Sequence, residues 1–219
     1  MEIIHNNKKR ERIAAFISIP KNASQSIIKI LALGENRNEE NTSSLVIHKN
    51  HQRAAILSQK YNLNKLFVFC FVRNPYCRCV SWYEFHKHTE PYNSLSFDDW
   101  VNIGMPHHWR YQNKTNYVIN KISPLLQYNF IEHYKIDLIG KIETFSSDLN
   151  KIIEKLNLLC QERNIDYKFN YTNIKINTSK VIDNIENYYN EETKEKVFSL
   201  LKKDFEYFGY NKGIEYANN

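Results

Sequence analysis

The feature that most constrains the fold is an unbroken apolar run from Leu66 to Val72, followed at once by Arg73, Asn74 and Pro75. A continuous apolar run of this length is typical of a strand buried on both faces, as in a parallel sheet. Asn is a favoured N-cap and Pro is tolerated at the first helical position, so a helix is predicted to begin here. The segment therefore predicts a strand, a charged corner and a helix.

Arg73 would lie at the carboxyl end of that strand, which is where open α/β sheets bind their ligands. Ser81 follows about two helical turns later, at 3.6 residues per turn. An arginine, a serine hydroxyl and the start of a helix together suit a small anion such as phosphate. From this segment alone, the alternative is that Arg73 caps a sheet edge and Ser81 is an ordinary helix residue, since such corners recur in many α/β folds.

A second corner of the same kind comes earlier in the chain. Residues 13–19 form a short apolar run that predicts the first strand, and a polar loop and an apolar helix follow it. The loop has neither the Walker pattern nor the dinucleotide-binding pattern of glycines. Small residues, Ala23 and Ser24, would instead let backbone N–H groups approach an anion, with Lys21, Ser24 and Ser26 adding side-chain donors. Taken alone, a lysine in this position is usually a solvated surface residue.

Two more strands are predicted, at residues 45–47 and 136–142. His48 follows the first of them, and a lone histidine is most often a hydrogen-bonded structural residue. Its position beside two predicted anion-binding corners makes it a candidate general base as well. Helices are expected to end at Gly34, to run from Gln52 to Lys60, to begin with Ser146 or Ser147 as N-cap, and to run from Glu191 to Phe208 before Gly209.

No regular pattern is clear from Glu90 to Tyr134. This region holds an aromatic and basic cluster that includes Trp109 and Arg110. The cluster could line a pocket for an acceptor, or it could belong to a satellite core beneath a long loop. Both interpretations remain open.

Composition narrows the class of protein. A chain of 219 residues with 42% apolar residues can bury a core in one domain, and it is not disordered. The net charge of +6 favours anionic ligands but does not by itself argue for nucleic acid. The four cysteines do not form a disulfide framework. The absence of a signal peptide or a long apolar run leads us to expect a cytoplasmic protein.

Three of these segments, in this order, resemble sulfotransferases that use 3′-phosphoadenosine 5′-phosphosulfate (PAPS). The closest group is the carbohydrate family that includes the heparan-sulfate sulfotransferases and many small bacterial members. The stretch IPKNASQSI resembles the 5′-phosphosulfate loop, which is commonly Pro-Lys-Thr-Gly-Gly-Thr-Ser. The stretch FVRNPYCRCVSWYEFHK resembles the 3′-phosphate motif, and IGKIETFSSDL and KKDFEYFGY resemble stretches near the carboxyl end of these proteins.

The resemblance implies a P-loop-like, three-layer α/β fold with a central parallel sheet flanked by helices. It implies a single domain over residues 1–219, with residues 90–134 as an insertion at the acceptor site. A sulfuryl group would pass from PAPS to a hydroxyl of a saccharide acceptor, without a metal ion. The residues expected to bind the donor are Lys21, Asn22, Ala23, Ser24, Gln25, Ser26, Arg73 and Ser81, with Ser179 and Lys180 in a loop that closes over the nucleotide. Both glycines of the family loop are replaced here, and Gln25 replaces a hydroxyl.

The resemblance also implies catalytic roles. Lys21 would stabilise charge on the leaving phosphate oxygen, and a histidine after the second strand would take the acceptor proton. His48 matches that histidine better than His51 does, and the choice between them stays open. The acceptor is expected to contact His51, Trp109 and Arg110.

Two other functions are compatible with parts of this sequence. A P-loop kinase or other NTPase shares the architecture, but it would need a glycine-rich Walker loop. A nucleic-acid-binding protein would use the positive charge and the cluster around Trp109, although no recognisable binding module is present. A metal site from Cys77, Cys79, His86 and His88 would need ligands from positions too far apart on one helix. Peripheral association with a membrane through a lipid-linked acceptor stays open.

Overall fold

The computed structural model describes residues 12–31, 45–49, 51–89, 92–106, 125–171 and 185–213. Within these residues, one sheet contains all the strands, in the spatial order β2-β1-β3-β4, and every neighbouring pair is parallel. The strands are β1 (Ala14–Ile17), β2 (Val46–His48), β3 (Phe67–Val72) and β4 (Leu138–Lys141). The predicted α/β fold with a central parallel sheet is confirmed.

Seven α-helices lie in the described part of the chain. They are α1 (Ser24–Ile30), α2 (Ala54–Lys60), α3 (Pro75–His86), α4 (Phe97–Asn102), α5 (Phe145–Glu162), α6 (Glu191–Leu200) and α7 (Lys202–Phe208). Short 3-10 turns occur at Leu63–Lys65, Tyr92–Ser94, Gln127–Phe130 and Ile185–Tyr188. None of the helices among the described residues combines the length and the apolar character that crossing a bilayer requires.

Both faces of the sheet are buried, as the apolar run predicted. In β3, Phe69 and Phe71 belong to one core cluster, while Val68 and Cys70 belong to another. Residues of α1 and α5 complete the first cluster, and residues of α2 contribute to the second. A third cluster joins α3, α4, α6 and α7. Alternate side chains of each strand therefore enter different cores, which holds the register of the strands in place.

The ends of two helices differ from the predictions. α1 stops at Ile30 with Leu31 in the C-cap position, so the predicted cap at Gly34 is wrong, and Gly34 itself lies outside the described residues. α5 starts at Phe145 with Thr144 in the N-cap position, so neither predicted serine caps it.

The start of α5 is organised by a carboxylate inside the helix. Thr144 makes no side-chain cap, because its hydroxyl donates to Asp148 Oδ2 at 2.6 Å. The same oxygen accepts the backbone N–H of Lys141 at 3.0 Å, at the end of β4. Asp148 thus ties the helix to the strand before it, a link that a search for N-cap residues would not reveal.

The predicted helix from Glu191 to Phe208 is two helices, α6 and α7, separated at Leu201 where φ is −112°. The break lets Asp204 turn inward, where it is fully buried and accepts two backbone N–H groups. Gly209 ends α7 in the left-handed conformation, with φ of 65°, as predicted.

Part of the region from 90 to 134, which showed no regular sequence pattern, forms the helix α4. Ser96 caps α4, whose Phe97 and Trp100 are buried in the third core cluster. Trp109 and Arg110 lie outside the described residues, as do Ser179 and Lys180.

Candidate active site

Three of the predicted site residues follow adjacent strands at one edge of the sheet. Lys21 lies in the loop after β1, His48 is the last residue of β2, and Arg73 follows β3. Because β1 pairs with both β2 and β3, these strand ends are neighbours, and strands in a sheet lie about 4.8 Å apart. The topology therefore gathers the three side chains at the edge where α/β folds bind ligands.

The loop after β1 turns sharply without a glycine. Lys21 and Ala23 both adopt the left-handed conformation, with φ of 67° and 53°. Ala23 stands where the resembling loops have their first glycine, which is the residue that adopts this conformation at least cost. Gln25 is exposed, whereas Ser24 and Ser26 are buried, and the Ser24 hydroxyl donates to Ile19 O at 3.0 Å. The turn is thus left-handed at Lys21 and Ala23 without a glycine.

Lys21 points from this loop toward α3. Its Nζ lies 3.9 Å from the centroid of the Phe85 ring. Burial, together with the positive charges of Arg73 and Arg78, lowers the pKa of Lys21 to about 8. The loop after β1 and the corner after β3 therefore place their cations close enough to repel each other, which favours an anionic ligand.

One face of α3 connects the two cations. Cys77, Ser81 and Phe85 are spaced four residues apart and so lie along one side of the helix, about 6 Å apart in rise. The Arg73 guanidinium hydrogen bonds with Cys77 at one end of this face, and Lys21 lies over Phe85 at the other. Ser81, which is 4% exposed, lies between them. The structure thus brings together Lys21, Ser81 and Arg73.

The start of α3 is fixed as the sequence predicted. Asn74 Oδ1 accepts the N–H of Tyr76 at 2.9 Å, so Asn74 is the N-cap and Pro75 is the first helical residue. The N–H of Asn74 itself donates to Glu143 Oε1 at 2.6 Å. Glu143 also accepts the hydroxyl of Tyr210 at 3.0 Å. The corner after β3 is therefore held by Glu143, which follows β4, and Glu143 is held in turn by Tyr210, which follows α7.

In the part of the chain that the structure describes, His48 makes no direct contact with either cation. Its ring stacks on Phe16 with centroids 5.7 Å apart, and its Nε2 is buried without a hydrogen-bond partner. Burial, followed by the charges of His51 and Lys49, lowers the pKa of His48 to about 4. Within the described residues, no hydrogen bond, ion pair or ring contact joins His48 to Lys21 or Arg73. The imidazole is therefore neutral near pH 7, as a general base must be.

His51 has a different environment. Its Nδ1 lies 3.1 Å from Ser18 O and 3.3 Å from Ser18 Oγ. Its backbone is left-handed, with φ of 52°. Because Ser18 follows β1 directly, His51 braces the chain that leads into the Lys21 loop. His48 has an unpartnered ring nitrogen, and His51 makes contacts of a structural kind.

A model of the sulfotransferase family matches residues 8–211, which is most of the chain. The chain belongs to the sulfotransferase family. Membership indicates a transferase that moves a sulfuryl group. An uncharacterized protein of Archaeoglobus fulgidus is 33% identical to this sulfotransferase over 93 residues, which are 42% of this chain and 68% of that relative. No solved structure matches the chain significantly.

Three buried polar residues of the sulfotransferase were missed from its sequence: Arg78, Gln127 and Asp204. Arg78, 1% exposed, donates to the carbonyl oxygens of Pro20 and Leu125. Burial raises the pKa of Asp204 to about 6, although Arg78 and two backbone N–H groups oppose the shift. Two of these residues lie in stretches that resemble the family: Arg78 is the second arginine of FVRNPYCRCVSWYEFHK, and Asp204 is the aspartate of KKDFEYFGY. No signal marked Gln127.

Metal binding finds no support among the side chains that the structure describes. Over those residues, no group of three or more His, Cys, Asp or Glu side chains could hold an ion. Cys77 and Cys79 are buried, and burial raises their thiol pKa values to about 11 and about 12.

Proposed function

We propose that the protein transfers a sulfuryl group from PAPS to a hydroxyl of a saccharide. The observation that carries this proposal is the face of α3 on which Ser81 lies between two cationic side chains, Arg73 and Lys21. A donor with two separated anionic groups, a 3′-phosphate and a 5′-phosphosulfate, suits two cations separated by a hydroxyl. ATP carries its charges in one chain and would be expected at a single glycine-rich corner.

The donor would be held by the two corners. In this proposal the Lys21 loop holds the phosphosulfate, with the backbone of residues 22–26 facing its oxygens. Arg73 and Ser81 hold the 3′-phosphate, the arginine by charge-assisted hydrogen bonds. The fit is supported by the charges acting on Lys21, since those that shift its pKa are the cations Arg73 and Arg78 and not a carboxylate. Ser179 and Lys180 remain expected contacts of the nucleotide.

The transfer itself needs little from the protein beyond position and charge. The acceptor oxygen attacks sulfur while the bond from sulfur to the phosphate oxygen breaks. The acceptor proton passes to His48, whose Nε2 has no hydrogen-bond partner among the described residues. The lowered pKa of His48 keeps the imidazole neutral near pH 7, although burial makes it a weaker base than an ordinary histidine. The charge left on the phosphate oxygen is stabilised by the ammonium of Lys21.

A saccharide is the acceptor that best suits what lies beside Lys21. Phe85 is 67% exposed, so its ring has a free side on the helix face that carries the site. An aromatic ring can pack against the apolar C–H face of a sugar while the hydroxyls remain available for reaction. His51, Trp109 and Arg110 are the further residues that we expect to contact the acceptor.

Calorimetric titration with 3′-phosphoadenosine 5′-phosphate, the spent donor, tests this proposal. We expect tight binding to the wild-type protein and at least tenfold weaker binding of AMP, because AMP lacks the 3′-phosphate. Arg73→Ala should abolish the preference. Lys65→Ala removes the same charge from an exposed turn at the opposite end of β3 and should leave binding unchanged. Preference for ATP with magnesium would instead support a kinase.

A further inference from the structure

Gln127 connects the two corners of the site through its side-chain amide. Its Oε1 accepts Asn22 Nδ2 at 2.7 Å and the backbone N–H of Arg73 at 3.0 Å. Its Nε2 donates to the carbonyl oxygen of Arg73 at 2.9 Å. One carboxamide thus contacts the loop after β1 and both backbone groups of the residue after β3. Gln127 itself is fully buried, with 0% of its surface exposed to solvent.

The orientation of both amides follows from their partners. The backbone of Arg73 offers one donor and one acceptor, so the oxygen of Gln127 must face the N–H and its nitrogen the carbonyl. Asn22 Nδ2 meets two acceptors, Gln127 Oε1 and Phe71 O at 2.8 Å, so its NH₂ group must point toward them. The bridge from Asn22 through Gln127 to Arg73 is therefore defined in direction as well as in distance.

The segment that carries Gln127 is itself anchored. The N–H groups of Gln127 and Tyr128 donate to the two carboxylate oxygens of Asp204, at 2.8 and 2.9 Å. Arg78 reaches from α3 to the carbonyl oxygens of Pro20 and Leu125, which precede Lys21 and Gln127. Gln127 therefore cannot shift without breaking bonds to three other elements.

We propose, on the basis of the function proposed above, that Gln127 is a positioning residue that fixes the separation between the phosphosulfate loop and the 3′-phosphate corner. Gln127 is not expected to contact the nucleotide. It acts through Asn22, the neighbour of Lys21, and through the backbone of Arg73. A ligand with two anionic groups needs both anchors at a fixed separation, whereas a ligand with one needs a single anchor.

The test compares two nucleotides on three proteins. Calorimetry gives the dissociation constants of 3′-phosphoadenosine 5′-phosphate and of AMP for the wild type, for Gln127→Met and for Phe130→Ala. Gln127→Met keeps the side-chain volume but removes the amide, and with it the hydrogen bonds to Asn22 and Arg73. Phe130 lies on the same 3-10 turn, 3% exposed in an apolar cluster, so its replacement weakens packing without touching the bridge.

We expect Gln127→Met to lower the preference for the bisphosphate over AMP by about tenfold. Phe130→Ala should lower the melting temperature and leave the preference unchanged. An equal loss of affinity for both nucleotides in Gln127→Met, or no loss, would overturn the positioning role. If Gln127→Met does not fold, Gln127→Asn replaces it, because the amide stays neutral and polar but is one methylene too short to reach both partners.

Amide hydrogen exchange of the free protein tests the same bridge without a nucleotide. Loss of Gln127 should speed exchange in both of two peptides, one spanning residues 18–26 and one spanning residues 73–80. Both should respond because the side-chain amide of Gln127 bonds to both segments. Faster exchange in only one of them, or in neither, would overturn the bridge. If exchange responds as expected but the wild type binds neither nucleotide, the bridge stands and the PAPS-dependent function fails.

Discussion

The ammonium of Lys21 lies over the ring of Phe85, 3.9 Å from its centroid, although the two residues come from different corners of the site. Phe85 is one helical turn beyond Ser81 on α3, so the contact directs the lysine along the face where Ser81 lies. A cation–π contact at an exposed ring contributes only about 0.5–1 kcal/mol. The lysine can therefore leave the ring for a phosphate at little cost.

Replacing Lys21 should slow the chemical step. Lys21→Ala should reduce kcat by about 10²–10³-fold, because the charge on the leaving oxygen would lose its stabilising partner. Lys21→Arg keeps the charge with a different geometry and should retain part of the rate. Steady-state rates with PAPS and a saccharide panel measure both variants. Full activity in Lys21→Ala would rule out this role for the lysine.

The lowered pKa of Lys21 predicts how nucleotide affinity depends on pH. An anionic ligand favours the protonated lysine, so affinity should be highest below about pH 8 and should fall as the pH rises through that value. Calorimetry with 3′-phosphoadenosine 5′-phosphate from pH 7 to 9.5 gives the profile. Lys21→Arg stays charged throughout, so it should show no fall. An identical profile for the wild type and Lys21→Arg would contradict the assignment.

His48 should matter for turnover and not for nucleotide binding. His48→Ala should reduce kcat by about 10²–10⁴-fold and leave the affinity for the spent donor unchanged. Because the pKa of His48 is lowered to about 4, the wild-type rate should show no loss near pH 6.5, where an ordinary histidine becomes protonated. His51→Ala is the matched comparison, and it should keep most of the activity. The reverse result, with His51 essential, would make His51 the base.

The strands and the two corners could be predicted because their signals are local. The seven apolar residues before Arg73 define β3. Asn74, two residues after the end of β3, and Pro75 mark the start of α3. The parallel order of the sheet then places His48 beside them, because strand ends meet at one edge. Each step depends on residues close together in the chain or on a general property of α/β folds.

The polar bridge could not be predicted because its partners are distant and look like surface residues. Gln127 is 54 positions from Arg73 and 105 from Asn22, and Asp204 is 77 positions from Gln127. A glutamine or an aspartate in a polar stretch is usually exposed, and burial is decided by tertiary contacts that the sequence does not display. The break at Leu201 was missed for the same reason, since the inward turn of Asp204 lies between α6 and α7.

The left-handed backbone of Ala23 predicts an unusual response to glycine. An alanine in this conformation costs about 1 kcal/mol, which glycine avoids, while glycine adds a similar entropy to the unfolded chain. Ala23→Gly should therefore leave the free energy of unfolding unchanged or slightly higher. Ala55→Gly, on the exposed side of α2, should lower it by about 0.5–1 kcal/mol. Urea denaturation compares them, and equal losses would mean that the turn at Ala23 is not strained.

Asp204 should prove to be a major source of stability. Its carboxylate accepts two backbone N–H groups and offsets the charge of Arg78, which is 1% exposed. Asp204→Asn places an NH₂ group against one N–H and leaves the buried guanidinium without a countercharge. We expect the free energy of unfolding to fall by about 3 kcal/mol.

Urea denaturation of Asp204→Asn, Arg78→Met and the double variant decides whether the two charges act together. If they do, the double variant should be more stable than the sum of the single losses predicts, because no buried charge remains unpaired. Glu206→Gln is the control, because Glu206 forms its ion pair at the surface of α7, and its loss should stay within about 0.5 kcal/mol. Additive losses would mean that Asp204 stabilises the fold through the amides of Gln127 and Tyr128 alone.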